Sequence, residues 1–215
     1  MPAGKQILDR IKSVRNTGKI TRAMELISTV KMKKAADLAL GARPFAMEAS
    51  GIFSRVAEEI SMSPYIEGKE KKSKKNSKSL VIVITSNKGL CGAYNINVFR
   101  EVLKQIKGTK ADCITIGKKA REFVIRTGQT LVADYSDMFK DDPTPAQAKT
   151  ISASIREFFL TGEYSDVRVI YSFYISAIAQ KAVTRPFLPV SQDTLSAFLE
   201  EITGSIISPL TYSGE

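Results

Sequence analysis

The stretch SLVIVITS, residues 79–86, places five apolar residues in a row between polar ones, and four of the five branch at Cβ. Branched side chains fit the pleated surface of a strand. A short apolar run without polar alternation is typical of a strand whose two faces are both covered, as in a parallel sheet. The stretch therefore predicts a buried strand of a parallel sheet.

Downstream of this strand, strand-like and helix-like stretches alternate. Strands are predicted at 112–117, 129–135, 166–174 and 181–190, and helices at 95–108, 118–128 and 144–162. The alternation predicts a Rossmann-like layered α/β domain over residues 80–190. Asn95 is suited to cap the first of these helices, and Pro145 to open the last one. Pro186 and Pro189 would restrict the final strand to an edge of the sheet.

Upstream of the strand, residues 1–62 have the pattern of a long helical arm. An apolar seam recurs at steps of three and four residues, with Thr17 filling its one polar gap. The seam consists of Ile7, Ile11, Val14, Ile20, Met24, Ile27 and Val30. Its mean step does not exceed about 3.5 residues, so the seam should wind left-handed around a partner helix. Pro44 predicts a kink, after which the helical pattern resumes.

The net charge of +10 is concentrated in two segments. Residues 1–43 carry +7 and residues 69–78 carry +5, whereas the rest of the chain carries −2. The second segment belongs to a lysine-rich stretch, residues 63–79, with the composition of an exposed loop. Such charge segregation indicates an acidic or polyanionic partner, although a solvated helix face and a solvated loop would give the same pattern.

The composition disfavours several classes of function. The chain has no histidine and two cysteines, Cys91 and Cys113. A disulfide framework, a Cys/His metal site and a histidine-based nucleophile pair are therefore not expected. No apolar run reaches the roughly 18 residues that span a bilayer, and no signal-peptide core is seen. We expect a protein that is cytoplasmic or peripheral to a membrane.

The stretch TSNKGLCGAYN, residues 85–95, is where a Rossmann-type domain would bind phosphate. Its glycines are spaced G-x-x-G, which is neither the dinucleotide fingerprint nor a P-loop. We therefore expect a structural or partner-contacting loop, with no cofactor and no catalytic centre. Nucleic-acid binding by the basic arm is an alternative, but residues 1–44 contain no aromatic residue for base stacking.

Three longer stretches are GKQILDRIKSVRNTGKITRAMELISTVKMKKA (4–35), VIVITSNKGLCGAYNINVF (81–99) and YISAIAQKAVTRPFLPV (174–190). Together, in this order and spacing, they resemble the gamma subunit of F-type ATP synthase. In that family the N-terminal helix and a long C-terminal helix form an antiparallel, left-handed coiled coil. This coiled coil is the central rotor shaft inside the catalytic head, and the α/β domain lies below it.

The resemblance implies a non-catalytic shaft subunit that couples a flow of protons or sodium ions to ATP synthesis on neighbouring subunits. Contacts to the catalytic head of alpha and beta subunits are implied for Arg22, Met24, Glu25, Lys31, Lys33 and Lys34. Contacts on the side of the rotor ring or the epsilon subunit are implied for Asn87, Lys88, Gly89, Leu90, Cys91, Gly92, Tyr94 and Asn95. The resemblance also implies a peripheral protein on the cytoplasmic face of the plasma membrane.

Two departures from the family limit these expectations. Asn87 and Lys88 stand where the family usually has an acidic and a basic residue, so an ion pair of that acidic position is not expected. The family's chains continue into the C-terminal helix, whereas residues 191–215 read as a connecting segment that stops before it. An uncovered seam should make the chain self-associate or fray. The alternative from another class is a cytoplasmic nucleotide- or nucleic-acid-binding α/β protein with a basic helical arm.

Overall fold

The computed structural model describes residues 2–59, 63–66, 78–107, 111–139, 142–176, 178–191 and 194. By its contacts the chain divides into two compact units, Met1–Ala49 and Ser50–Glu215. Most of the predicted lysine-rich loop, residues 67–77, lies outside the described residues, as does most of the connecting segment after residue 191. The domain boundaries at 62, 79 and 190 stay predictions.

The N-terminal arm is one helix, α1 (Pro2–Glu59), which continues through Pro44. This confirms the predicted long N-terminal helix, while a bend at Pro44 stays a prediction. Every seam residue is exposed, from 49% for Ile11 to 69% for Val30. In the polar gap of the seam, the hydroxyl of Thr17 donates to the carbonyl of Ser13 at 3.0 Å. Within the described residues, no helix combines the length and hydropathy needed to cross a membrane.

The second unit contains a five-stranded sheet with the order β3-β2-β1-β4-β5. Its elements are β1 (Lys78–Ile84), α2 (Tyr94–Ile106), β2 (Ala111–Ile116), α3 (Lys118–Arg126), β3 (Thr130–Asp134), α4 (Pro145–Leu160), β4 (Tyr164–Tyr174) and β5 (Gln180–Leu188). The first four strands are parallel, and β5 runs antiparallel to β4 at the sheet edge. The Rossmann-like α/β class is confirmed, and so is the edge position of the proline-containing strand.

The central strand β1 supplies both halves of the core. Val81 and Val83 pack in one apolar cluster with side chains of α2 and α3, while Leu80 and Ile82 pack in a second cluster with side chains of α4. All four are at most 1% exposed. Each such buried side chain contributes roughly 1.5–3 kcal/mol. The unbroken apolar run thus has a physical cause, since its alternate residues face two different helical layers.

The predicted helix start is confirmed for α4 and is wrong for α2. Pro145 opens α4, and Thr144 forms a capping box with Gln147. By contrast α2 begins at Tyr94 with Ala93 as N-cap, so the prediction that Asn95 caps it is wrong. The side chain of Asn95 is buried and turns back to the preceding loop, where it finds other partners. Gly108, the predicted stop of this helix, lies outside the described residues.

Candidate partner-binding site

The loop that joins β1 to α2, residues 85–93, lies at the carboxyl end of the central strand. We call it the β1 loop. β1 has β2 on one side and β4 on the other, so the strand order reverses here. In open α/β sheets, ligands bind at this kind of reversal. Six of the predicted contact residues share this loop and are exposed: Asn87, Lys88, Gly89, Leu90, Cys91 and Gly92.

The tip of the β1 loop presents an apolar side chain to water. Leu90 has a relative exposure of 103% and a φ of 61°. A left-handed conformation costs a non-glycine residue roughly 1–2 kcal/mol. Gly92, with a φ of 58°, adopts the same region without that cost. Since Leu90 contributes little to the packing of its own chain, its strained and exposed position favours contact with another molecule.

The base of the β1 loop is fixed by the buried side chain of Asn95. Its Nδ2 donates to the Ser86 hydroxyl at 2.8 Å and lies 3.2 Å from the Cys91 sulfur. Its Oδ1 accepts the Ser86 backbone N–H at 3.2 Å. The Ser86 hydroxyl in turn donates to the carbonyl of Lys88 at 2.6 Å. Asn95 therefore stabilises the conformation of the β1 loop. While these hydrogen bonds hold, its amide is not available to bind another molecule.

Helix α3 begins without a side-chain cap of its own, because its N-cap is Gly117. Three consecutive residues of the β1 loop accept the N–H groups of its first turn instead. Lys118 donates to Asn87 Oδ1 at 3.0 Å, Lys119 to the Ser86 carbonyl at 3.2 Å, and Ala120 to Thr85 Oγ1 at 2.7 Å. These are the groups through which a helix N-terminus binds phosphate. The β1 loop thus occupies the phosphate-binding end of α3.

The close approach of α3 to the β1 loop requires glycine at position 117. Gly117 is buried and has a φ of 104°. A Cβ added there would lie 2.2 Å from the Thr85 carbonyl oxygen. Any side chain would therefore push the loop and the helix apart.

The β1 loop is also tied to the segment that follows β3. Asn87 Nδ2 donates to the carbonyl of Phe139 at 3.1 Å. The ammonium of Lys118 lies 3.0 Å from Asp137 of the same segment, in an exposed ion pair. The side chain of Asn87 thus joins three connections at the carboxyl edge of the sheet: the β1 loop itself, the connection from β2 to α3, and the segment after β3.

The carboxylate at the end of β3 is held ionised by its neighbours. Partial burial alone would raise the pKa of Asp134, but hydrogen bonds from Thr115 and Ser136 and the charge of Arg121 outweigh it and lower this pKa below its ordinary value. Arg121 lies 3.3 Å from the carboxylate. A paired carboxylate with a lowered pKa is unsuited to general acid or base chemistry near neutral pH. Among the described residues, no group of side chains could hold a metal ion.

The residues predicted to contact the catalytic head lie along α1. Arg22, Met24, Glu25, Lys31, Lys33 and Lys34 are all exposed. They span 12 helical steps, or about 18 Å, and so form an extended surface and not a pocket. Between them, the hydroxyl of Thr29 donates to the carbonyl of Glu25 at 2.9 Å, so this hydroxyl has its hydrogen-bond partner within α1. Met24, 55% exposed, is the seam residue of the set.

The tip of the β1 loop is recognisable from the sequence, but the groups that fix its position, Thr85, Ser86 and Gly117, are not. A glycine directly between a strand and a helix, as at Gly117, is the one sequence signal for a close approach of backbones. The N–H groups at the start of α3 are accepted by residues more than thirty positions earlier in the chain. No local sequence pattern predicts such hydrogen bonds.

Comparisons with known proteins identify the family to which the chain belongs. The profile of the ATP synthase family matches residues 3–210. The chain is 33% identical over 193 residues to an ATP synthase gamma chain of Heliobacterium modesticaldum, covering 88% of this chain and 64% of that protein. It is 32% identical over 214 residues to a gamma chain of Cytophaga hutchinsonii, covering 94% and 70%. The chain thus spans about two thirds of the length of these relatives.

Among solved structures, the fold is similar to a chain in the central stalk and c-ring of the Tetrahymena thermophila mitochondrial ATP synthase. The TM-score is 0.57 at 19% identity, with 87% of this chain and 88% of that chain covered. At this identity the likeness shows the fold alone, a long helix with an α/β domain. Family membership rests on the profile and on the gamma-chain relatives. The chain belongs to the ATP synthase gamma-chain family.

Proposed function

We propose that this chain is the central shaft subunit of an F-type ATP synthase. It transmits rotation, driven by a flow of protons or sodium ions, to ATP-forming sites on neighbouring subunits, and it catalyses no reaction itself. The observation that carries the proposal is the exposed apolar seam along a 58-residue helix, in a chain of the gamma-chain family. Such a seam is the expected surface for a coiled-coil partner helix.

The charge of the same helix suits a shaft that turns inside a protein sleeve. Residues 1–43 carry +7. Attraction between distributed charges of opposite sign acts over the Debye length of about 8 Å and requires no single contact geometry. We infer that Arg22, Lys31, Lys33 and Lys34 face acidic surfaces of the alpha and beta subunits, with Met24 in the seam and Glu25 beside it.

The β1 loop is proposed as a second contact surface, on the side of the rotor ring or the epsilon subunit. The exposed Leu90 and the exposed Lys88 support a contact that combines an apolar side chain with a positive charge. The half-buried Tyr94 and the buried Asn95 support the loop from the first turn of α2. We propose that the assembled protein is peripheral, on the cytoplasmic face of the membrane.

The alternative function, nucleotide binding by the α/β domain, is not favoured by the site. The connection before α2, where such a domain would bind phosphate, has neither phosphate-binding fingerprint. At the neighbouring helix α3, the first N–H groups are already accepted by the β1 loop. Isothermal titration with ATP or ADP at millimolar concentration should give no binding heat. A one-to-one isotherm with micromolar affinity would support the alternative.

The shaft proposal is tested by assembly with the catalytic head. The variant Lys31→Glu/Lys33→Glu/Lys34→Glu reverses three charges on α1. The control Lys107→Glu/Lys149→Glu/Lys181→Glu makes the same change of net charge at exposed positions of the α/β domain. We expect the unaltered chain and the control to co-purify with alpha and beta subunits. The α1 variant should do so more weakly, with a loss that shrinks as salt screens the charges.

Two results would refute the proposal. The first is failure of the unaltered chain to associate with alpha and beta subunits. The second is an equal loss in the α1 variant and in the control, which would assign the effect to net charge and not to the arm.

A further inference from the structure

Asn87 is an exposed residue whose side-chain amide nonetheless forms hydrogen bonds through both its oxygen and its nitrogen. Its Oδ1 accepts the Lys118 N–H at 3.0 Å, and its Nδ2 donates to the Phe139 carbonyl at 3.1 Å. A backbone N–H can only donate and a carbonyl oxygen can only accept, so this pair of partners fixes which way the amide points. Asn87 therefore connects the β1 loop to the start of α3 and to the segment after β3.

We propose that Asn87 is a positioning residue, which holds the β1 loop in its partner-binding conformation. The inference rests on the proposed function, since it concerns the surface by which the loop would meet another subunit. Lys88 follows Asn87 directly, and Leu90 lies three residues along the chain. Because the side chain of Asn87 is held at both ends, the positions open to the side chains of Lys88 and Leu90 are restricted. Leu90 sits in a backbone conformation that a free leucine seldom adopts, so this restriction determines whether the tip is ready to bind.

In this chain, the two partners of Asn87 are matched by an amide, which can accept from the Lys118 N–H and donate to the Phe139 carbonyl at the same time. An alanine side chain can neither accept from the Lys118 N–H nor donate to the Phe139 carbonyl. An aspartate could accept the Lys118 N–H, which the positive end of the helix dipole favours. It has no proton to donate, however, and would place a charged oxygen opposite the Phe139 carbonyl. The two variants therefore separate the two bonds of Asn87.

Amide hydrogen exchange of the full chain tests the intramolecular half of the inference. Asn87→Ala should raise the exchange rate of the Lys118 N–H and of residues 136–139. A lost cap and a lost hydrogen bond of ordinary strength correspond to about a tenfold change. Asn87→Asp should leave Lys118 protected and accelerate only residues 136–139. Asn97→Ala is the control and should change neither, because Asn97 is an exposed asparagine in α2 whose side chain has one described hydrogen bond, with Arg100.

Binding of the epsilon subunit and of the isolated rotor ring tests the other half. If the competent loop conformation becomes about ten times rarer, the dissociation constant rises about tenfold. We expect this for Asn87→Ala, and a similar rise for Asn87→Asp although its α3 cap is kept. The thermal unfolding midpoint of Asn87→Asp should stay near that of the unaltered chain. A role in stability alone would instead make the loss of binding follow the unfolding midpoint.

Each result decides between the inference and the proposed function. Unchanged exchange in Asn87→Ala, or unchanged affinity while the unaltered chain binds, would overturn the role of Asn87 alone. Weakened affinity that simply follows the unfolding midpoint would overturn it too. If the unaltered chain bound neither probe, the proposed rotor-side contact of the β1 loop would be refuted, and with it the partner-binding half of this inference.

Discussion

Replacement of Gly117 by alanine should destabilise the α/β domain more than any substitution that only strains the backbone. Its φ of 104° and ψ of 137° lie near the region used almost only by glycine, where another residue costs about 1–3 kcal/mol. The new Cβ would also lie 2.2 Å from the Thr85 carbonyl oxygen, well inside contact distance.

The clash is relieved only when the backbone at position 117 moves away from Thr85. That residue donates its N–H to the Ile116 carbonyl at 2.9 Å and accepts the Ala120 N–H at 2.7 Å. Loss of each bond costs roughly 1 kcal/mol. We therefore expect Gly117→Ala to lower the free energy of unfolding by about 3–5 kcal/mol.

Gly128→Ala provides the matched control. Gly128 also has a positive φ, 68°, but nothing lies within 4 Å of an added Cβ. Its cost should be the backbone strain alone, about 1–2 kcal/mol. The difference between the two variants measures the close approach of the β1 loop to α3.

Urea unfolding followed by tyrosine fluorescence is a suitable assay, because all seven tyrosines lie after residue 64 and report on the second unit. With a slope near 2 kcal/mol per molar urea, the midpoint should fall by about 2 M for Gly117→Ala and by less than about 1 M for Gly128→Ala. Equal shifts for the two variants would refute the reasoning, because they would show that the contact with Thr85 carries no cost.

Three further predictions concern titration, thiol reactivity and association. Burial and the hydrogen bond to Asp112 raise the pKa of Tyr164 to about 12. The folded state therefore holds the Tyr164 proton more tightly than the unfolded chain does. The resulting stabilisation of the folded state is complete below about pH 10 and is lost as pH rises towards about 12. The urea midpoint of Tyr164→Phe should not show this decline. Burial raises the pKa of Cys113 to about 11, so a thiol reagent at about pH 8 should label only the exposed Cys91 in the folded chain and both thiols in urea. Copies of the chain should pair through the exposed seam more strongly as salt screens the +7 of residues 1–43, and a salt-independent monomer with a protected α1 in sedimentation and exchange experiments would contradict this.

The layered fold could be predicted because its determinants are local. The apolar run from Leu80 to Ile84 has no polar alternation, and that pattern follows directly from helices packed on both faces of β1. Pro186 excludes a central position for its strand, since it has no N–H for a second neighbour. Pro145 likewise fits the first turn of α4, where its missing N–H is not needed.

The candidate site was predicted only in part, because its geometry depends on contacts distant in sequence. An asparagine before an apolar helical pattern favours a cap, yet Asn95 lies inside the helix and binds Ser86. Its alternative partners become available only when the β1 loop folds back. The role of Asn87 depends in the same way on Lys118 and Phe139, which lie 31 and 52 residues away. Residue types in the loop could be recognised, but the bonds that hold them could not.

The capping of α3 by the β1 loop also has a consequence for the order in which the chain folds. A nine-residue helix is too short to persist in water without tertiary support. The N–H groups of Lys118 and Lys119 in its first turn have no acceptor within the helix, and they are accepted only when Ser86 and Asn87, which follow β1 closely, are in place. The pairing of β1 with β2 must therefore precede or accompany the formation of α3. During synthesis, the β1 loop should remain unstructured until the ribosome has released residues up to about 130, so that β1, α2, β2 and α3 become protected from proteolysis in a single step.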